Sequence, residues 1–325
     1  MSSIENFQQQ ISTALANRNF PDSPANLYDP IRYILSLGGK RIRPLLTLLA
    51  ADLFGMKVLD TAIPAALSIE YFHNFSLIHD DIMDNAPLRR GKATVHEKWN
   101  PSVAILSGDA LLVQAYMELA KCPPAHVAAL LTVFNQVAKD VCDGQQLDMD
   151  YETRTDVTLT DYIEMIRLKT SVLLGGALQL GAILANASLE QQQLIYEFGV
   201  DIGIAFQLQD DILDVYGDPK TFGKQVGGDI ISNKKTYLFL SLQNLAVAED
   251  AVLLQELVKG DLSSHPQKVQ QVMDLYGRYA IKERAEVEKQ HYTKAAFASL
   301  EKINIPKEQK QALEAIANQL LIREI

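Results

Sequence analysis

Apolar residues recur three and four positions apart through Ile31 to Leu37, Ala66 to Ile78, Ala125 to Val141, Ile163 to Ala187 and Leu194 to Val215. That is the period of one helical face, and the alternating pattern of strands is scarce. The breaks fall where helices start and stop: Gly38-Gly39, Asn100-Pro101 as N-cap and first turn, Pro123-Pro124, Gly217-Asp218-Pro219, and Asn304 with Pro306. No long linker or low-complexity tract interrupts the chain. The pattern predicts an all-α protein with residues 1–325 as a single domain and residues 1–24 able to form an N-terminal helical extension.

Composition narrows the function. With 325 residues, 48% of them hydrophobic, the chain can bury a substantial core. Forty acidic against 30 basic side chains give a formal charge of -10, which argues against a general nucleic-acid binder. Cys122 and Cys142 are the only cysteines, too few for a disulfide framework, and read as reduced structural thiols of a cytoplasmic protein. The stretch M-S-S-I-E-N-F-Q-Q-Q lacks the basic-then-apolar order of a secretory signal. The most membrane-like segment, Thr170 to Ser188, is short, carries Gln179 and is rich in small residues, so it reads as a close-packed core helix rather than a stable membrane insertion.

One stretch does not fit a plain core helix. I-H-D-D-I-M-D sets Asp80 and Asp84 four apart on one face, with Asp81 three residues from Asp84, at a helix end soon closed by Pro87. A helix C-terminus is already negative, so three carboxylates there call for compensation. A solvated acidic face is the alternative for one such cluster. F-Q-L-Q-D-D-I-L-D repeats the spacing with Asp210, Asp211 and Asp214, again at the end of an apolar helix. If the two ends face each other, their hard oxygen ligands suit Mg²⁺, which completes its shell with water and phosphate.

Cations are present to match. G-G-K-R-I-R-P places Lys40, Arg41 and Arg43 on a glycine-opened turn leading into a helix, a suitable diphosphate cradle, and Arg89 and Arg90 form a second pair. Lys169, Lys224, Lys234 and Lys235 add more, although a single lysine is more often a surface residue. His73, about two turns before Asp80, could donate to a bound diphosphate. G-D-P-K-T-F-G-K-Q has the wrong spacing for a P-loop, and no H-E-x-x-H or C-x-x-C supports zinc.

The ordered set G-G-K-R-I-R-P, H-N-F-S-L-I-H-D-D-I-M-D, L-R-R-G, G-Q-Q-L-D, K-T, F-Q-L-Q-D-D-I-L-D, G-K-Q-V-G-G-D and N-K-K-T, from about Gly38 to Leu238, resembles the trans-isoprenyl diphosphate synthases of the polyprenyl synthetase family. The resemblance implies an all-α bundle around a deep central cavity, normally a homodimer. It implies magnesium ligation by Asp80, Asp84 and Asp210, with Asp81, Asp211 and Asp214 assisting and three ions per active site once substrate is bound. By the same resemblance Lys40, Arg43, His73 and Arg90 bind isopentenyl diphosphate. Arg89, Lys169, Thr170, Gln207, Lys224 and Lys234 surround the allylic diphosphate, and Gly144-Gln145 with Asp148 orients lysines from behind. Tyr237-Leu238-Phe239 departs from the leucine and proline that many relatives carry, which leaves Lys234 less securely aligned than Lys224.

Product length follows from depth along the helix that carries Asp80. Phe75, five residues earlier, lies about 7.5 Å deeper, and Phe72 roughly one turn further. Ser76 is small. Phe75 beside a small residue resembles geranylgeranyl diphosphate synthases of the archaeal type and implies a twenty-carbon product, with a fifteen-carbon product as the alternative. A terpene cyclase fits less well, because such enzymes carry an asparagine/serine/glutamate motif where this chain has D-D-I-L-D. A non-catalytic regulatory subunit also fits less well, because both aspartate triplets are intact. Arg323, in the closing L-I-R-E-I, could touch a diphosphate, although terminal charges are usually solvated.

Overall fold

The structure, a computed structural model, describes residues 3–217, 226–259 and 265–322. Lys224 and Arg323, singled out above, and the Asp218-Pro219 break lie outside the described residues. In chain order the elements are α1 Ser3–Ala16, α2 Ala25–Ser36, α3 Ile42–Leu53, a 3-10 turn at Leu59–Ala62, α4 Ile63–Met83, the strands β1 Leu88–Arg89 and β2 Lys92–Ala93, α5 Val95–Lys98, α6 Pro101–Leu119 and α7 Pro124–Thr153. Then come α8 Leu159–Ile166, a π turn at Arg167–Ser171, α9 Val172–Leu184, α10 Leu189–Tyr216, α11 Gly228–Ile231, α12 Tyr237–Leu245, α13 Ala248–Lys259, α14 His265–Arg278, α15 Ile281–Lys302 and α16 Lys307–Leu321.

The all-α expectation holds, and several breaks act through the expected chemistry. Asn100 caps α6 by accepting from the Val103 N–H at 2.9 Å, with Pro101 in the first turn. Pro124 opens α7. The β1–β2 hairpin is an addition that periodicity does not foresee, since two residues per strand are too few to alternate. The long helix read over Ile163 to Ala187 is interrupted by the π turn, where the Val172 N–H reaches back five residues to the Arg167 carbonyl.

The chain forms two compact units. The first comprises Met1–Ala138, Gly176–Ile195 and Asn304–Leu313. Its centre is α4, which packs on α3 and α6 and buries Ala65, Ala66, Leu67 and Phe72. Helix α1 lies against α3 and α4 and buries Phe7 and Ile11. The second comprises Lys139–Gly175, Tyr196–Ile303 and Glu314–Ile325. Its core gathers Tyr162, Met165 and Ile166 with Ile204, Leu208, Ile212, Leu238 and Tyr276. A reciprocal box between Thr158 and Asp161 starts α8.

The membrane-like stretch read at Thr170 to Ser188 divides between the π turn and the buried α9, which is only 13 residues long. Among the described residues, α6 alone is long and apolar enough to cross a membrane. It exposes Ile105, Leu106, Val113 and Met117.

Candidate active site

In the first unit, the acidic end of α4 is built as the spacing predicts. Asp80 and Asp81 occupy its last turn and Asp84 is its C-cap. Asn85 adopts φ 48, its N–H bonds the Ile82 carbonyl, and the Ala86 N–H bonds the Asp81 carbonyl, which closes the helix with a left-handed turn. Asp81 is buried and takes both arms of Arg89, from Nε at 2.9 Å and Nη2 at 2.7 Å. Burial works against the Arg89 charge, but the hydrogen bonds and charge of Asp81, with Asp80 and Asp84 behind it, more than offset this and raise its pKa. Asp81 therefore orients an arginine.

The basic turn divides its labour. Arg41, at φ 48, turns inward to the buried Glu70 and the Leu35 carbonyl, while Asn74 Nδ2 donates to the same Glu70 carboxylate at 2.8 Å. Lys40 stays exposed, and Arg90 reaches back to the Gly38 carbonyl. Arg43 Nη1 lies 3.1 Å from His73 Nε2. Burial pushes the His73 ring well below its usual pKa, and Arg43, Arg90, Arg89 and Arg41 push the same way. A neutral ring facing a guanidinium must accept at Nε2, so the proton that His73 can offer an anion sits on Nδ1. Burial also lowers Arg43 to about 10.

Below the acids, α4 carries an aromatic column. His79 meets Phe75 with ring centroids 4.8 Å apart, Phe75 meets Phe72 at 5.5 Å, Phe72 meets Phe134 at 5.5 Å, and Phe134 meets Tyr116 at 5.0 Å. The Tyr116 hydroxyl donates to Asn135 Oδ1 at 2.9 Å. Phe72 is buried, whereas Phe75 and Ser76 are half-buried. Phe134 and Tyr116, on α7 and α6, are absent from the sequence reading because no local pattern ties them to α4.

In the second unit, a cavity of about 150 Å³ is lined by Asp210, Asp211 and Asp214 of α10, by Asp148 and Asp229, and by Lys169, Thr170, Gln207 and Lys234. Every described member of the expected allylic set except Arg89, which belongs to the first unit, meets here. Asp148 accepts from Lys169 at 2.6 Å. Burial would raise the Asp148 carboxyl, and Lys234 and Lys169 outweigh it to hold the pKa low.

The G-Q-Q-L-D stretch has a packing reason. A Cβ on Gly144 would lie 2.2 Å from the Lys169 backbone nitrogen, and one on Gly203 would lie 2.6 Å from Ser171 Cα. Helices α7 and α10 thus approach the π turn from two sides, which is how the turn carrying Lys169 and Thr170 is held.

The three aspartates of α10 are not equivalent. Asp211 is buried, accepts from the Tyr162 hydroxyl and from the Tyr237 N–H at 3.2 Å, and is pushed up to about 7 by burial and then by Asp229. Asp214 Oδ2 accepts from the Asp229 N–H at 3.0 Å. Tyr162 and Asp229 are site-lining residues that sequence reasoning missed; Asp229 stands in the quoted G-K-Q-V-G-G-D, a signal that could have found it.

Among the described residues no three acid, cysteine or histidine side chains converge on one point able to hold an ion. The donors on the two helix ends are hard carboxylate oxygens. Such a set fits Mg²⁺, which takes one or two protein carboxylates and fills its shell from phosphate and water.

Residues 24–276 match the family model described as Polyprenyl synthetase. Over 240 residues the chain is 40% identical to the geranylgeranyl diphosphate synthase of Methanosarcina mazei, spanning 73% of this chain and 74% of that one. It is 42% identical over 224 residues to the geranylfarnesyl diphosphate synthase of Aeropyrum pernix, spanning 67% and 70%. A solved geranylgeranyl pyrophosphate synthase superposes with a TM-score of 0.93 at 43% identity over 99% of both chains. Fold and likeness together define an all-α trans-prenyltransferase of the isoprenoid synthase fold. The chain belongs to the polyprenyl synthetase family.

Proposed function

We propose that this prenyltransferase condenses isopentenyl diphosphate with allylic diphosphates and releases geranylgeranyl diphosphate, working as a single isoprenoid synthase domain with α1 as its extension. Asp80, Asp84 and Asp210 are the magnesium ligands, and three ions accompany the bound substrate. When bound, Mg²⁺ neutralises the diphosphate that leaves the allylic carbon. Lys169, held by Asp148, and Arg89, held by Asp81, donate to that diphosphate as charge builds on it, with Thr170, Gln207, Lys224 and Lys234 completing the set. Lys40, Arg43, His73 and Arg90 hold isopentenyl diphosphate so that its double bond attacks the allylic cation. Loss of a proton then gives a chain one five-carbon unit longer.

The observation that carries the twenty-carbon assignment is Phe75, five residues before Asp80 and beside the small Ser76, with Phe72 buried beneath it and backed by Phe134. The Phe72–Phe75 pair also supports the second reading, a fifteen-carbon product, if both rings stand across the path. Incubating the purified protein with Mg²⁺, isopentenyl diphosphate and five-, ten- or fifteen-carbon primers, then sizing the products, decides between them. A main product of any other length sinks the assignment.

The protein acts as a homodimer. Exposed Ile105, Leu106, Val113 and Met117 on α6 supply an apolar face that a second copy would cover. A cytoplasmic location accords with the free thiols of Cys122 and Cys142.

A further inference from the structure

Lys234 enters the acidic cavity from the short connector between α11 and α12, which has no helix of its own to aim a side chain. The residue before it, Asn233, sits at φ 57, in the left-handed region that side chains rarely adopt without local support. That support is visible at both ends of its amide. Nδ2 donates to the Val258 carbonyl at 3.1 Å, and Oδ1 accepts from Lys268 Nζ at 2.6 Å. Lys268, on α14, also donates to the Ile231 carbonyl at 3.2 Å, at the end of α11. On the far side of Lys234, Lys235 turns away to the Tyr151 and Glu152 carbonyls and Thr236 caps α12. Lys234 is therefore the one member of this K-K pair that faces the cavity, and the direction is set by the turn at Asn233.

Lys268 is buried, and among the described residues its ammonium donates to two neutral oxygens. Packing alone has no use for a charge there, since an unbranched apolar side chain of similar length would fill the space without desolvating an ammonium. A charge-assisted hydrogen bond to an amide oxygen is, however, stronger than a neutral one and holds the donor and acceptor in a narrower geometry.

We infer that Lys268 is a positioning residue for the prenyl transfer: it clamps Asn233 in its left-handed turn and so aims Lys234 at the allylic diphosphate. The inference rests on the assignment of Lys234 to that diphosphate, and it moves the weakest point of the N-K-K-T segment from the Tyr237-Leu238-Phe239 departure to a lysine about thirty residues downstream of it.

Steady-state kinetics of the purified full-length chain with Mg²⁺, isopentenyl diphosphate and a fifteen-carbon allylic diphosphate test it. Lys268→Met raises KM for the allylic substrate about tenfold, the scale of lost support behind a binding group, and leaves KM for isopentenyl diphosphate unchanged. In a Lys234→Met background the same change adds nothing, because the residue it aims is gone. Asn233→Gly, free to adopt positive φ, is milder than Asn233→Val, which is not; this pair keeps the test alive if Lys268→Met fails to fold. Equal effects of Lys268→Met with and without Lys234, or equal behaviour of the two Asn233 variants, overturn the inference. A Lys234→Met protein with an unchanged allylic KM overturns instead the role of Lys234 on which the inference stands.

Discussion

Arg89 closes on Asp81 with two nitrogens, so that one aspartate of the first triplet serves an arginine from beneath. The carboxylate is buried and the guanidinium is about a quarter exposed. Asp81→Asn keeps the shape but takes away the largest of the charges that compensate the arginine in a partly desolvated place, leaving only the weaker support of Asp80 and Asp84. The expected outcome is a loss of roughly 2 kcal/mol in urea unfolding together with a fall of about tenfold in kcat. A variant with parental stability would show that the pair is solvent-screened and carries no structural weight.

Gly144 presents the second test. Its missing Cβ makes room for the backbone of Lys169, and Asp148, one turn further along α7, pairs with the same lysine. Gly144→Ala forces the helix or the π turn to move, a strain of about 1 to 3 kcal/mol. Activity is expected to fall about tenfold or more as Lys169 is displaced, measured as kcat at saturating substrates. Gly144→Ala with unchanged kcat removes the packing explanation for the G-Q-Q-L-D stretch.

These two contacts mark where sequence reasoning ran out. The aspartate triplets were legible because a spacing of four residues is a local property of a helix. The ends of α4 and α10 were legible for the same reason, through Pro87 and Gly217. The partner that Asp81 holds was not, since Arg89 sits on β1, a strand of two residues that no alternation announces. Nor was the π turn, because its cause lies in Gly144 and Gly203, on helices distant in sequence. Arg41 reads from the sequence as a third diphosphate ligand, but in the fold the Glu70 carboxylate and the Leu35 carbonyl take its guanidinium; only tertiary packing distinguishes it from Arg43 two residues on.

His73 makes part of the stability acid-sensitive. Its ring is held well below its usual pKa, first by burial and then by four arginines, whereas in the unfolded chain it titrates near about 6.5. The unfolded chain thus binds a proton that the folded chain refuses. The stability tied to neutral His73 is fully present above about pH 6.5 and is lost as pH falls below it, at up to roughly 1.4 kcal/mol per pH unit. Asp211 and Asp201, raised by burial to about 7 and about 6, work in the opposite sense, but they are common to parent and variant and cancel in their difference. Without substrate, the parent is expected to lose about 1 kcal/mol more than His73→Gln between about pH 6.5 and about pH 5.5. Parallel pH curves for the two proteins refute the assignment of a neutral, buried ring.

The aromatic column makes the last prediction, on product length. Phe75 stands nearest the acids, and its position depends on Phe72, which in turn is wedged by Phe134 of α7 and, behind it, by Tyr116 of α6. Phe75→Ala removes the first ring and is expected to lengthen the product beyond the parent's by at least one five-carbon unit. Phe134 is linked to Phe75 through Phe72, so Phe134→Leu alone, at about 1 kcal/mol of stability, should leave the main product in place. Combined with Phe75→Ala it releases Phe72, which then becomes the stopping ring, to turn aside, and the chains grow longer than in Phe75→Ala alone. Chromatography of the dephosphorylated products reads this directly. If the double variant and Phe75→Ala give the same length, the rings on α6 and α7 play no part in stopping growth, and the floor lies on α4 by itself.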